Sequence, residues 1–376
     1  MLSPRDETDL AAAVAAAEGP LHVIGGGTRP IGKPVTGEAV SVAGLSGITL
    51  YEPGALTLVA RAGTPLAEIE AALAAENQRL AFEPMDHRGL LGTSGAPTIG
   101  GVVAANASGP RRILTGACRD FLLGVRFVDG RGSVLKNGGR VMKNVTGYDL
   151  VKLMAGSYGT LGILTEVSFK VLPAPAAAAV LLIEGLSDVQ AVQAMAAALG
   201  SPFEVSGAAH TPKGLDGAPV TMIRIEGFES SVTYRAGQLR TLLAGYGEIS
   251  VETDPERTTA GWKWVRDAEP FHGVHGDVWR LSVKPSDAPD LAARAEADGL
   301  LYDWGGGLIW ALVPEGTDLR ARLGAFQGHA TLVRAGEETR AALPVFQPEP
   351  APVAAISKGL RDKFDPRGIL NPGLMG

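Results

Sequence analysis

Cysteine is nearly absent from this chain: Cys118 is the single one in 376 residues. That excludes an internal disulfide and any zinc or iron–sulfur cluster held by several thiolates, and it fits a reducing compartment. Basic blocks are missing too. With 34 Lys and Arg against 40 Asp and Glu, a net charge of −6 and a pI near 5.6 argue against nucleic acid, which is held by clustered cations. The longest small-apolar run, residues 176–183, is too short to cross a bilayer. The opening MLSPRDETDL has neither the basic nor the apolar region of a secretory signal. The expectation is a cytoplasmic protein that reaches a membrane, if at all, peripherally through partners. What remains is 45% hydrophobic and 20% charged, a globular balance, and the length suits two domains.

Residues 21–28, LHVIGGGT, organise the reading: a short strand, three consecutive glycines and a threonine. Glycines straight after a strand let the backbone turn sharply and bring its N–H groups up to an anion with no Cβ in the way. A plain glycine turn is the other reading. The dinucleotide fingerprint is excluded, because the following RPIGKPVTGEAVSVAGLSG has two prolines and no helical period. GTRPIGK at 27–33 approximates a mononucleotide P-loop, but Pro34 stands where a magnesium-holding hydroxyl belongs.

The chain in order reads as follows. Ser3 as cap and Pro4 predict a first helix with Leu10 and Val14 inward, and Thr64-Pro65 predicts a second with Leu66, Ile69 and Leu73 on one stripe. Residues 92–119 are almost all small, either backbone wrapped around something large and flat or a mobile surface loop; Arg111 and Arg112 within it pair with phosphate or face solvent. Leu123, Val125 and Phe127 alternate into a hairpin turned at Asp129-Gly130. A short helix near 150–154, a second glycine turn SYGTLG and a strand through Val167, Phe169 and Val171 follow, and Pro173 and Pro175 mark a boundary. Beyond it, strand–helix–strand units recur in two pairs, the pattern of duplicated ferredoxin-like halves. A break rich in Trp and His separates them, and the tail is helical over 356–364 before DPRGILNPG.

Taken together, IGGGT at 24–28, PTIGGVVAANASGPRR at 97–112, RDFLLGVRFV at 119–128, GYDLVKLMAGSYGTLGIL at 147–164 and FDPRGILNPG at 364–373 resemble the p-cresol methylhydroxylase/vanillyl-alcohol oxidase type of FAD-binding protein. The motifs run the whole chain in the family's order. PVTG at 34–37, AGTPLAEIEAAL at 62–73, VMKNVTGYDL at 141–150, VWRLSVKPSDAP at 278–289, DWGGGLIW at 303–310 and GHAT at 328–331 are similar to FAD-binding subunits of bacterial glycolate oxidases within that family.

The resemblance implies an α+β fold. A two-subdomain FAD-binding domain would fill 1–174, an α+β cap of duplicated ferredoxin-like units 175–351, and a tail returning to the FAD domain 352–376. It implies that Gly25, Gly26, Gly27 and Thr28 hold the pyrophosphate. Pro97, Thr98, Gly100, Gly101, Asn106, Ser108 and Gly109 would line the adenosine and flavin path, and Gly162 and Ile163 would give main-chain contacts. Asn371 would approach the ring or serve only its turn.

It further implies a multi-subunit enzyme that oxidises glycolate to glyoxylate, with a related catalytic flavoprotein subunit and an iron–sulfur subunit as partners. The small 2-hydroxyacid would be the substrate. Two other readings stand: a self-sufficient FAD-dependent oxidoreductase of another small 2-hydroxyacid or alcohol, and a scaffold without cofactor.

Several departures bear on the chemistry. Relatives that attach flavin covalently carry histidine where this chain has Thr28, and Cys118 reads as a buried position, so dissociable FAD is expected. Tyr158 replaces the family's usual acid. The metal-and-base signature H-x-G-D-G-N-x-H of catalytic 2-hydroxyacid relatives is absent; His272 and His275 in FHGVHGD have no further ligands at metal spacing and read as structural, so no metal site is expected. Arg280 matches an arginine that binds substrate carboxylate in those relatives, or is a surface arginine.

Overall fold

In the computed structural model, which describes residues 1–140 and 147–376, the first helix, α1 (Glu7–Ala16), starts at Asp6 and not at Ser3. The Asp6 carboxylate accepts from the Asp9 N–H at 2.9 Å, a capping bond worth about 1 kcal/mol. Ser3 cannot cap because Leu2 is held extended, exchanging hydrogen bonds with Ala39 and Ser41. Leu10 and Val14 are fully buried as expected. They pack on Leu21 of β1 (Leu21–Ile24) and Val40 of β2 (Glu38–Ser41), which pair in parallel. Ile369 and Leu370 from the tail join this small core, and Leu21 forms a parallel bridge with Leu370.

A second, larger core is built on a five-stranded antiparallel sheet. Its strands are β3 (Ile48–Glu52), β4 (Thr57–Arg61), β5 (Leu122–Val128), β6 (Val134–Gly138) and β7 (Ile163–Lys170), in the order β3-β4-β7-β5-β6. Alternation puts Val125, Phe127, Val167 and Phe169 into one core. Against it lie α2 (Leu66–Ala75), with Leu66, Ile69 and Leu73 inward, α3 (Ile99–Ala104) and α4 (Leu150–Met154). Each such aliphatic side chain stabilises by about 1.5–3 kcal/mol on burial. The VMKNVT part of the 141–150 motif lies outside the described residues.

The other unit is one eight-stranded antiparallel sheet. Its first half is β8 (Ala177–Glu184), α5 (Asp188–Leu199), β9 (Val205–Thr211), β10 (Val220–Gly227), α6 (Glu229–Leu243) and β11 (Ile249–Glu252). Helix α7 (Pro255–Arg266) fills what the sequence presents as a break, capped by the Asp254 carboxylate. The second half is β12 (Asp277–Val283), α8 (Ala288–Ala295), β13 (Gly299–Asp303), β14 (Leu308–Val313), α9 (Leu319–Leu323) and β15 (Gly328–Arg334). The order β11-β8-β10-β9-β13-β14-β12-β15 is two ferredoxin-like sheets, each with its fourth strand outermost, joined edge to edge at β9 and β13. A single pair, His210 opposite Tyr302, spans that join.

By internal contacts the chain divides into one unit of 1–108, 116–174 and 348–376 and another of 109–115 and 175–347. The sequence reading places 109–115 with the FAD domain and starts the tail at 352. Two bonds account for the first difference: the Trp304 indole Nε1 donates to Gly109 O at 3.1 Å, and Arg111 pairs with Glu226. The tail helix α10 (Ala351–Phe364) begins five residues before the predicted 356. Among the described residues no helix is long and apolar enough to cross a membrane.

Candidate cofactor site

The glycine loop leaves β1 and lies against the strand-like segment before α3. A Cβ on Gly25 would meet the Thr98 hydroxyl at 2.6 Å, one on Gly26 the Ala96 carbonyl oxygen at 1.6 Å, and one on Gly95 the Gly26 oxygen at 1.8 Å. The Thr93 hydroxyl also donates to Thr28 O at 3.2 Å. LHVIGGGT therefore meets the Gly95–Ala96 backbone just before PTIGGVVAAN, an approach that only glycine permits, and touches that segment itself at the Thr98 hydroxyl.

Among the described residues, none of the main-chain N–H groups of Gly25, Gly26, Gly27 and Thr28 finds an intramolecular acceptor. Thr28 is nonetheless buried and Gly25 and Gly26 half-buried. Buried donors left without partners are costly, and a concavity of them fits an anionic diphosphate. By contrast the start of α3 is internally satisfied: Ile99 N donates to Thr64 O, Gly100 N to Ala62 O and Gly101 N to the Thr98 hydroxyl. Gly100 is needed for packing, since its Cβ would lie 2.7 Å from that of Ala62. Pro97 offers its carbonyl to Leu66 N.

Asn106, with φ of 48°, and Ser108 form a hydrogen-bonded knot after α3. Asn106 Oδ1 accepts from Arg119 N at 3.0 Å, and the Ser108 hydroxyl donates to Asn106 O and accepts from Cys118 N. Cys118 is wholly buried and burial pushes its thiol far up; a thiol held protonated is a poor partner for covalent flavin attachment. Gly162 lies against the Phe127 ring, 2.6 Å from its would-be Cβ, and Ile163 is 1% exposed and opposite Val128 in the sheet. Asn371 is 3% exposed and its amide is doubly engaged: Oδ1 accepts from Val23 N and Nδ2 donates to Tyr158 O, each at 2.8 Å. Tyr158 N in turn donates to Ala104 O at the end of α3.

Arg29, directly after the loop, escaped the sequence reading. Its Nε donates to His87 Nδ1 at 3.0 Å and a terminal nitrogen donates to Met85 O at 3.1 Å. Burial lowers its pKa to about 10, against the pull of Asp86. The only signal in the sequence is a cation abutting a glycine loop.

In the second unit, Gly109 is held by Trp304. The guanidinium of Arg280 stands 5.1 Å from the Trp304 ring and 5.9 Å from that of Trp310, and Arg112 stands 4.7 Å from Trp304. Arg111 is bidentate to Glu226, so its guanidinium faces a carboxylate of the chain itself and not open solvent. His272 is bonded through Nε2 to Asp267 O, and His275 pairs with Glu315 at the surface. Among the described residues no three His, Cys, Asp or Glu gather to hold a metal. A groove of about 760 Å³ beside Trp262 and Trp264 contains none of the predicted site residues.

A paired-subdomain α+β unit with an unbonded N–H cradle, carrying a ferredoxin-like second unit, is the architecture of an FAD-binding oxidoreductase, and residues 1–138 match the FAD-binding domain family. The chain is 39% identical over 359 residues to glycolate oxidase subunit GlcE of Escherichia coli, covering 95% of this chain and 92% of that one, and it belongs to the GlcE family of FAD-binding subunits. Glycolate oxidase subunit GlcD of Bacillus subtilis is 44% identical over 78 residues, 21% of this chain and 17% of that protein. The fold is also that of alkyldihydroxyacetonephosphate synthase, with a TM-score of 0.70 at 17% identity over 98% of this chain and 76% of that one.

Proposed function

We propose that this chain is the FAD-binding subunit of a multi-subunit enzyme that oxidises glycolate to glyoxylate, working with a related catalytic flavoprotein subunit and an iron–sulfur subunit. The chain works in the cytoplasm, and any contact with the inner face of the cell membrane is made through those partners. The observation that carries the reading is the run of unbonded N–H groups at Gly25–Thr28 in a chain similar over nearly its full length to GlcE.

Bound FAD supplies a two-electron acceptor. The chain's own residues do the rest: the glycine loop donates to the diphosphate, Thr98 fixes the start of α3 against it, and the protonated Cys118 leaves the cofactor dissociable. Arg280, held against two indoles, presents a guanidinium suited to a carboxylate. Removal of the hydroxyl proton is assigned to the partner flavoprotein, because this chain lacks the H-x-G-D-G-N-x-H signature.

Purified alone, the protein should be yellow, release FAD on acid precipitation and turn over glycolate poorly, with full turnover restored by the partner subunits. Rapid glycolate oxidation by the isolated chain overturns the division of labour, and a colourless preparation that takes up no FAD overturns the cofactor role.

A further inference from the structure

Arg29 is a half-buried cation whose two bonded acceptors, His87 Nδ1 and Met85 O, are both uncharged. Asp86 acts on it through space, but both Asp86 oxygens are hydrogen-bonded to Arg88 at 2.7–3.1 Å; Tyr158 and Cys118 are the other titratable groups near enough to matter. A guanidinium drawn partly out of water without a bonded anion is a cost to the fold. Its Nη1 makes neither of the two bonds and lies 3.5 Å from where a Cβ on Gly101 would stand, so the absence of a side chain at Gly101 keeps that edge of the fork clear.

We infer that Arg29 is a phosphate clamp: the Nη1 edge of its guanidinium pairs with the diphosphate of the FAD that the neighbouring Gly25–Thr28 N–H groups cradle, and the apo-protein holds the charge with no bonded anion until the cofactor arrives. The inference rests on the FAD reading above. His87 and Met85 hold the fork in place, so its orientation does not have to be created on binding. Arg29 is thus a binding residue that destabilises the empty protein, and the two effects are separable by measurement.

The experiment compares wild type, Arg29→Met and Arg29→Lys as full-length apo-proteins, each titrated with FAD by flavin fluorescence and with ADP by its shift of the melting temperature. Arg29→Met should bind FAD about ten- to a hundredfold more weakly, the loss of one charge-assisted bond, and lose most of its ADP-induced shift. Its apo melting temperature should equal or exceed that of wild type, and Arg29→Lys should recover part of the affinity. Equal FAD affinity in Arg29→Met, weakened FAD with an unchanged ADP response, or a lowered apo melting temperature each overturns the clamp. Failure of wild type to bind FAD instead removes the cofactor reading on which it stands.

Discussion

Gly26 and Ala96 touch through their backbones: no side chain fits on Gly26, because a Cβ there would lie 1.6 Å from the Ala96 carbonyl oxygen. The contact sets the spacing between the two glycine-rich segments, so the cradle depends on it. Gly26→Ala should cost about 3 kcal/mol or more by overpacking and remove FAD binding. Gly27→Ala, which has open space but a φ of +68°, should cost only about 1–2 kcal/mol. Denaturant unfolding and flavin content of the two variants test the contrast.

Asn371 ties the tail to β1 and to the Tyr158 turn. Replacing it with Ala removes its bonds to two half-buried residues and places Ala at a φ of 45°, for about 3 kcal/mol in all. Asn371→Gly keeps the backbone relaxed and should recover about 1 kcal/mol of that. The difference between the two, read from urea unfolding, separates backbone strain from hydrogen bonding.

Glu7 is bonded to Arg126 and to the Thr165 hydroxyl at 2.6 Å. Burial works to raise its pKa, but the bonds to Arg126 and Thr165 outweigh it and hold the carboxyl below the ordinary 4.5. A depressed folded pKa contributes stability above the unfolded value and loses it as pH falls from about 4.5 through the lower folded value. Glu7→Gln should flatten that acid limb of a melting temperature–pH profile and leave the shape unchanged above pH 6.

Arg111 and Glu226 form a pair with side chains 15% and 7% exposed, and Arg224 stands 3.7 Å from the same carboxylate. Removing Glu226 takes the carboxylate from between two arginines, whereas removing Arg111 still leaves the carboxylate beside Arg224. Glu226→Ala should therefore destabilise more than Arg111→Ala, by about 3–5 kcal/mol against about 2, and the joint replacement by Met should recover most of the loss. A double-mutant cycle by calorimetry decides it.

Much of this architecture was legible because it is local. Period-two alternation set β5 and β7, the i, i+3, i+7 stripe set α2, and the repeated strand–helix–strand order revealed the duplicated sheet. What escaped depends on partners far away in the chain. Ser3 looks like a cap until Leu2 is seen bonded to Ala39 and Ser41; Arg111 looks solvated until Glu226, 115 residues on, comes beside it. Arg29 and His87 meet across 58 residues with no periodic signal. Among the proposed site residues the glycines were legible by type, but not why each is small: Thr98 and Ala96 press on Gly25 and Gly26, Ala62 on Gly100 and Phe127 on Gly162. A sequence gives the same letter to a glycine that faces a ligand and to one that faces a neighbour.

The sheet of the second unit is laced by four to eight residue pairs along most of its length and by one, His210 with Tyr302, in the middle. Side chains reinforce that seam: Asp188 accepts from the Tyr302 hydroxyl at 2.6 Å and meets His210 Nε2 at 3.3 Å, and the Thr211 hydroxyl donates to Leu300 O at 3.1 Å. Mechanical or thermal load at this seam thus falls on side chains more than on a backbone ladder, and a rip begun there would part the sheet into two four-stranded pieces.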